Sequence, residues 1–354
     1  MSTTRAASGR RTLWMLLAGV LAVAGITGFL ARGAVADPVL PPLTPSELLT
    51  KVATAKVDAL SATFEQRSDL GLPALPTGSL PDGDAVQSAL AMLTGDHTAR
   101  VWLDGPDRAK VALVDGATET SVIRNGDQLW TWSSEKQRAG HATISPGEKP
   151  EPSATPVSPS EAVQRFLDAI GPSTDIATSG TGYVAGRAVY QLVLSPTDDA
   201  SLVGQVRLSV DAETFVPLGL RVIADDGSDA VSVAATSVEY TRPDASIFAF
   251  TPPPGAEVTE LTAPERPTGT PTAGQEKKPT VVGSGWTAVA VTTVAGTPDK
   301  ATSTLRESLP EVSGSWGRGR LVSTTLLTVV ITDDGRVAAG AVTPDRVYAA
   351  LAKR

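Results

Sequence analysis

The segment from Gly204 to Ile223 constrains the fold of this chain more than any other. Val206, Leu208 and Val210 alternate with Gln205, Arg207 and Ser209, the period-two pattern of a strand with one buried face. Asp211-Ala212-Glu213-Thr214 follows. An Asp at the first turn position accepts backbone N–H bonds, so the chain can reverse without glycine. The return strand carries Leu218, Leu220 and Val222 on one face, with Pro217 at its start, where a missing N–H breaks no ladder bond. Two half-apolar strands are marginal alone, so the hairpin requires neighbours.

Upstream, the chain supplies them. Strands are predicted at Leu60–Arg67, Thr98–Leu103, Arg108–Val114, Glu119–Arg124, Gln128–Ser133 and Gln137–Ile144. Asp104-Gly105-Pro106-Asp107, Asp115-Gly116 and Asn125-Gly126 separate the middle four, the last being a strong hairpin signal. Short strands at this spacing indicate antiparallel pairing, not strand–helix–strand crossovers. After the second predicted helix the sheet resumes with Tyr183–Ala185, Ala188–Leu194, the hairpin and Ala230–Tyr240, and Phe248–Gly255 closes it.

Two helices accompany the strands. From Leu43 to Val57, Thr44 can cap, Pro45 takes the first helical position and Glu47 completes a capping box. Ser160 to Ile170 places Val163, Phe166, Leu167 and Ile170 on one face and ends at Gly171-Pro172. The Leu/Pro-rich stretch 69–84 reads as a loop, 85–93 as a short helix and 145–159 as a flexible connector. Residues 262–280 read as a Pro/Thr-rich linker. The tail, 281–354, reads as α+β: strands at Trp286–Val294, Leu321–Thr332 and Val337–Val342, and helices at Asp299–Leu309 and from Thr343 to Lys353. It forms either a satellite unit or extra strands of the main sheet. Gly314–Gly319 reads as a loop without the following helix a phosphate cradle needs.

The N-terminus sets the compartment. Arg5, Arg10 and Arg11 precede an uncharged run from Thr12 to Ala31, then Ala34-Val35-Ala36. Residues 1–36 therefore read as a signal peptide cleaved near Ala36 or as a retained signal anchor; both place the rest of the chain outside the cytoplasm. Residues 1–36 hold four arginines and no acid, so the remainder carries 26 basic against 38 acidic residues, near −12. That balance argues against nucleic-acid binding and suits a soluble exported protein. Without cysteine there is no disulfide, thiolate chemistry or Cys-ligated metal.

Candidate chemistry is sparse. His97 and His141, the two histidines, have no partner at metal-ligand spacing and read as surface or packing residues. Gly283-Ser284-Gly285 lacks the strand–turn–helix context of a nucleophile turn. No catalytic constellation stands out, no cofactor is indicated, and the chain is not expected to be an enzyme; an exported hydrolase is the least supported reading. Trp130 and Trp132 share one face of a strand. Such a pair is either core or a ligand platform, and the second role needs a concave apolar surface.

Four passages together resemble the LolA-like lipoprotein-carrier superfamily, which includes RseB and LppX-type proteins. They are the capped helix followed by Ser61-Ala62-Thr63-Phe64-Glu65-Gln66; the Gly95–Leu103 entry to a Trp-containing strand; Asn125-Gly126-Asp127-Gln128-Leu129-Trp130-Thr131-Trp132; and the 204–223 hairpin with Phe248-Ala249-Phe250-Thr251-Pro252-Pro253-Pro254-Gly255-Ala256-Glu257-Val258. The resemblance covers about residues 38–261 and has no counterpart for the tail. It implies an α+β fold for residues 37–261: a strongly curved antiparallel sheet, an unclosed half-barrel, with helices across its opening. The C-terminal α+β extension would follow. It further implies a cavity for lipid or lipoprotein acyl chains, lined by Phe64, Trp102, Trp130, Trp132, Val206, Leu208, Leu218 and Leu220. An RseB-like regulator touching a membrane-bound anti-sigma factor is the alternative function. The Ala/Val/Thr/Gly-rich composition, with Asn125 the sole asparagine, points to an actinobacterial source.

Overall fold

A computed structural model describes residues 38, 40–71, 95–144, 159–261, 279–293 and 309–353. The expected N-terminal signal, the helix 85–93, the connector 145–159 and the helix 299–309 lie wholly or almost wholly outside these residues, as do most of the loop 69–84 and the linker 262–280.

The first described helix, α1 (Pro45–Thr54), begins where the capping box requires. Thr44 Oγ1 accepts from Glu47 N–H at 3.3 Å, and the Thr44 N–H donates to the Glu47 carboxylate at 2.8 Å. That carboxyl lies below its ordinary value because it accepts from the Thr44 backbone and hydroxyl. Strands β1 (Ala59–Ser68), β2 (His97–Asp104), β3 (Arg108–Asp115), β4 (Thr118–Asn125), β5 (Gln128–Ser133) and β6 (Arg138–Thr143) follow as an antiparallel meander. Helix α2 (Pro159–Ile170) then leads into β7 (Thr174–Val184), β8 (Arg187–Pro196), β9 (Val203–Asp211), β10 (Pro217–Ala224) and β11 (Asp229–Glu239). A short 3-10 turn, Ala245–Phe248, precedes β12 (Glu257–Glu260).

These twelve strands form one sheet in the order β12-β6-β5-β4-β3-β2-β1-β11-β10-β9-β8-β7. It is curved and unclosed. Strands β7 and β11 are four places apart in the order, about 19 Å across a flat sheet, yet they touch. The pairing of β10 with β11 runs no further than Gly219 opposite Ala234. Beyond it Val189, Val216 and Leu218 join the core formed by Leu60, Ala62, Phe64, Val101, Leu103 and Val233. Helices α1 and α2 pack together on the side where Leu48 meets Tyr190, Leu192 and Val210.

The tail builds its own sheet, so its strands do not extend the main one. The order is β13-β14-β18-β17-β16-β15, from β13 (Thr280–Val282), β14 (Val289–Thr293), β15 (Glu311–Gly314), β16 (Gly317–Ser323), β17 (Thr328–Thr332) and β18 (Arg336–Gly340). With α3 (Pro344–Ala352) it encloses a separate core of Val289, Trp316, Val330, Ala338, Val347 and Leu351. It meets the end of the main sheet through a bridge between Ser201 and Val342, and through Trp286 Nε1 donating to Thr174 Oγ1 at 2.8 Å.

Several expectations are corrected. The run 321–332 is two strands. Thr324 Oγ1 accepts the Leu327 N–H at 2.9 Å and turns the chain between them. Gly314–Gly319 is a hairpin, not a loop, with Gly317 at φ 115° directly after the turn. Strand β7 starts nine residues earlier than its apolar pattern indicated, because an edge strand of Thr, Ser and Gly shows no alternation. Pairing is not wholly antiparallel: β12 lies parallel to β6.

Candidate functional site

Cross-strand register assigns each side chain to a face. Leu192, Leu208, Leu220 and Val233 stand in one row across β8, β9, β10 and β11, and Gln66 of β1 continues it. Alternation puts Phe64, Val101, Leu103, Val111 and Leu113 on the same side, which is also the side α1 packs against. The next row toward the strand ends is Ile176, Leu194, Val206, Val222 and Val231. All five are only partly buried, whereas Leu192 and Val233 in the row above are buried. Ile176 and Leu194 still pack against the cluster beneath α1, so the helix-side face is sealed at one end and opens at the other chiefly across Val206, Val222 and Val231.

The sealed end is held by α1 and the residues before it. Tyr190 Oη donates to the Pro41 carbonyl at 3.0 Å and Thr178 Oγ1 donates to the Leu43 carbonyl at 2.7 Å, fixing the approach to the helix. Leu48 is fully buried against Tyr190, Leu192 and Val210, and Lys51 Nζ sits 4.6 Å over the Phe215 ring.

The hairpin turn is fixed by Asp211. Its Oδ1 accepts from the backbone N–H groups of Glu213 and Thr214 at 2.9 Å each, and its carboxylate pairs with Arg187. Burial pushes this carboxyl up, but the Arg187 guanidinium and the two N–H groups more than offset that, so it lies below its usual range. Arg187 also reaches Glu213 at 2.8 Å and stacks on Tyr240; the Asp211 bond drives the guanidinium above its ordinary value. Burial pushes the Tyr240 phenol up to about 12.

The eight residues expected to line a cavity divide between two faces. Phe64 and Leu218 are buried in the core, Leu220 packs beside them, Leu208 packs beneath α1, and Val206 stands in the open row opposite Val222. Trp102, Trp130 and Trp132 point to the other side. Trp102 pairs with Ser61 and Lys110, between the inward residues Val101 and Leu103; Trp130 pairs with Ile123 and His141. There Trp130 and Trp132 meet the segment after β11: Phe250 lies 5.4 Å from Trp130 and 5.8 Å from Trp132, and His141 stacks on Trp130 at 4.2 Å, while Lys110 Nζ sits 5.5 Å over the Trp102 ring. Phe250 of the motif Phe248-Ala249-Phe250 thus covers Trp130 and Trp132 on the far face of the sheet, while Phe248 lies beneath Arg108. Val231, Leu194 and Ile176 are candidate site residues that sequence reasoning missed, and Val222, placed on an apolar face by alternation, was not assigned to the site; strand register aligns all four with Val206.

Among the described residues no cluster of three or more His, Asp or Glu could hold a metal ion. No helix among them is long and apolar enough to cross a membrane.

No family model matches the chain, and no curated protein matches it by sequence. Solved structures similar to it include the Pseudomonas aeruginosa MucA/MucB complex, at 16% identity over 86% of this chain and 96% of that chain, with a TM-score of 0.44. A crystal structure of MucB is 14% identical over 87% and 95%, with a TM-score of 0.39. The LolA superfamily protein NE2245 of Nitrosomonas europaea is 13% identical over 59% and 99%, with a TM-score of 0.23.

Proposed function

We propose that this chain is an extracytoplasmic lipid- or lipoprotein-binding protein that shelters acyl chains against the helix side of its curved sheet, and that it is not an enzyme. The observation that carries this reading is the row Ile176–Leu194–Val206–Val222–Val231. It is five strands wide, wholly apolar, partly exposed, and on the same face as the two packed helices. Four strand spacings make a strip about 19 Å long when followed along the curved sheet. Each methylene buried there contributes ~0.8 kcal/mol, so a long chain needs no charged anchor. Leu208 and Leu220 would extend the lining, with Phe64 and Leu218 as its floor. The basic start, apolar run and small-residue site of residues 1–36 support export, by a cleaved signal or by an anchor. Native mass spectrometry of protein purified from its own host tests the idea, together with a fluorescent fatty-acid probe. A co-purifying lipid and saturable probe binding are expected; absence of both would sink it.

A second reading, as an RseB-like regulator contacting the exported part of a membrane anti-sigma factor, is favoured by one observation. The C-terminal sheet has its own core and bonds to the main sheet at the same end as the open row. Removing residues 279–354 should abolish capture of such a partner while probe binding persists. Retention of the partner counts against this reading.

A further inference from the structure

The face opposite the helices carries a feature that neither reading uses. Arg207 of β9 and Arg221 of β10 stand directly opposite each other in the antiparallel register. Arg221 is in turn opposite Ser232, and Ser232 opposite Arg67 of β1, so three guanidinium side chains share one row across four strands. Like charges directly opposite on a sheet destabilise it, and in a chain of net charge −8 such a row is not a by-product of composition.

Local partners do not cancel the charge. Arg207 Nε donates to the amide oxygen of Gln205, and no carboxylate meets it among the described residues. Arg221 approaches Asp229 only at 3.7 Å, and Arg67 approaches Asp96 only at 3.8 Å; all four of these side chains are about half exposed or more, so neither pair is tight. Around the arginines the face is mostly polar, with Val193 of β8, buried directly opposite Arg207, as its apolar edge. Gln205 and Ser209 flank Arg207 along its strand, the Gln205 amide donates to Ser195 Oγ, and Gly219 beside Arg221 leaves the approach low. A Cβ on Gly219 would meet the Val233 carbonyl at 2.6 Å, so no side chain can rise there without moving backbone.

We propose that Arg207 and Arg221, with Arg67 beside them, form a binding site for a phosphate-type oxyanion. Guanidinium groups present flat forks of N–H donors that match phosphate oxygens. Two such forks from paired strands can hold one phosphate between them, and the surrounding Gln and Ser groups suit a hydroxylated ligand attached to it. The site lies on the side of the sheet away from the apolar row, so it is independent of acyl-chain binding.

The test compares wild type with Arg207→Gln and Arg221→Gln by thermal unfolding in phosphate-free buffer, and then with added inorganic phosphate or glycerol phosphate. Without phosphate, each variant should melt at or above the wild-type temperature, because a repulsion has been removed. With phosphate, wild type should gain several degrees and each variant less than half of that gain. Sedimentation with phosphatidylcholine vesicles, with and without phosphatidylglycerol, separates a lipid headgroup from a soluble phosphate as the source. Binding confined to phosphatidylglycerol vesicles and lost in both variants assigns the headgroup; binding of glycerol phosphate assigns a soluble ligand. Variants that melt lower than wild type in every buffer, with no phosphate-dependent shift in wild type and no vesicle binding, would show that the row is structural and overturn the proposal.

Discussion

Replacing Asp211 with Ala perturbs the hairpin at the point where turn, strand pairing and charge converge. The side chain is fully buried, accepts two backbone N–H groups and neutralises Arg187. Removing one partner of a buried pair costs about 3–5 kcal/mol. Arg187 is 26% exposed and keeps Glu213, so the lower end, about 3 kcal/mol, is expected. Asp211→Asn keeps an oxygen for the two N–H groups and should cost roughly half as much, since the turn bonds contribute about 1 kcal/mol each. Urea denaturation followed by circular dichroism measures both.

The pH dependence has a definite sign. The folded-state carboxyl lies below its unfolded value of 3.8. Its stabilisation is therefore complete above about pH 5 and is lost as pH falls through the folded-state value. The gap between wild type and Asp211→Ala should be flat from pH 5 to 8 and should narrow below pH 4. An Ala variant within 1 kcal/mol of wild type at pH 7, or a gap that widens in acid, would refute this reasoning.

Three further outcomes are expected. Leu48→Ala should cost about 2–5 kcal/mol and speed hydrogen exchange across residues 44–54 more than in β1 to β5. Gly140→Ala should loosen β12, because a Cβ there would lie 2.6 Å from Thr131 Oγ1 and 2.9 Å from the Leu261 methyls; faster exchange at residues 257–261 is the readout. Trp130→Ala should destabilise the chain by about 3–5 kcal/mol yet leave fatty-acid probe affinity within twofold, because Trp130 faces Phe250 on the far side of the sheet.

Much of the fold was legible because local chemistry marked it. Asn125-Gly126 and Asp104–Asp107 bound strands that the structure reproduces within about one residue, and Thr44, Pro45 and Glu47 start α1 where expected. Strand β7 was hidden because Thr, Ser and Gly on an edge have no buried face to pattern. The parallel β12 was hidden because pairing across some 119 residues of chain leaves no local trace. The candidate site was only half legible. Alternation shows that Trp130 and Trp132 share a face, but placing that face against Phe64 requires the register of five strands. Val206 and Val210 look equivalent in sequence; α1 covers only Val210.

In the proposed function an acyl chain lies along the open apolar row. Fatty-acid probe titration of wild type, Val206→Glu and Val222→Glu tests it most directly, with circular dichroism confirming the fold of each. Saturable binding by wild type and at least tenfold weaker binding by both variants is the expected result. Equal affinity in all three proteins would contradict it.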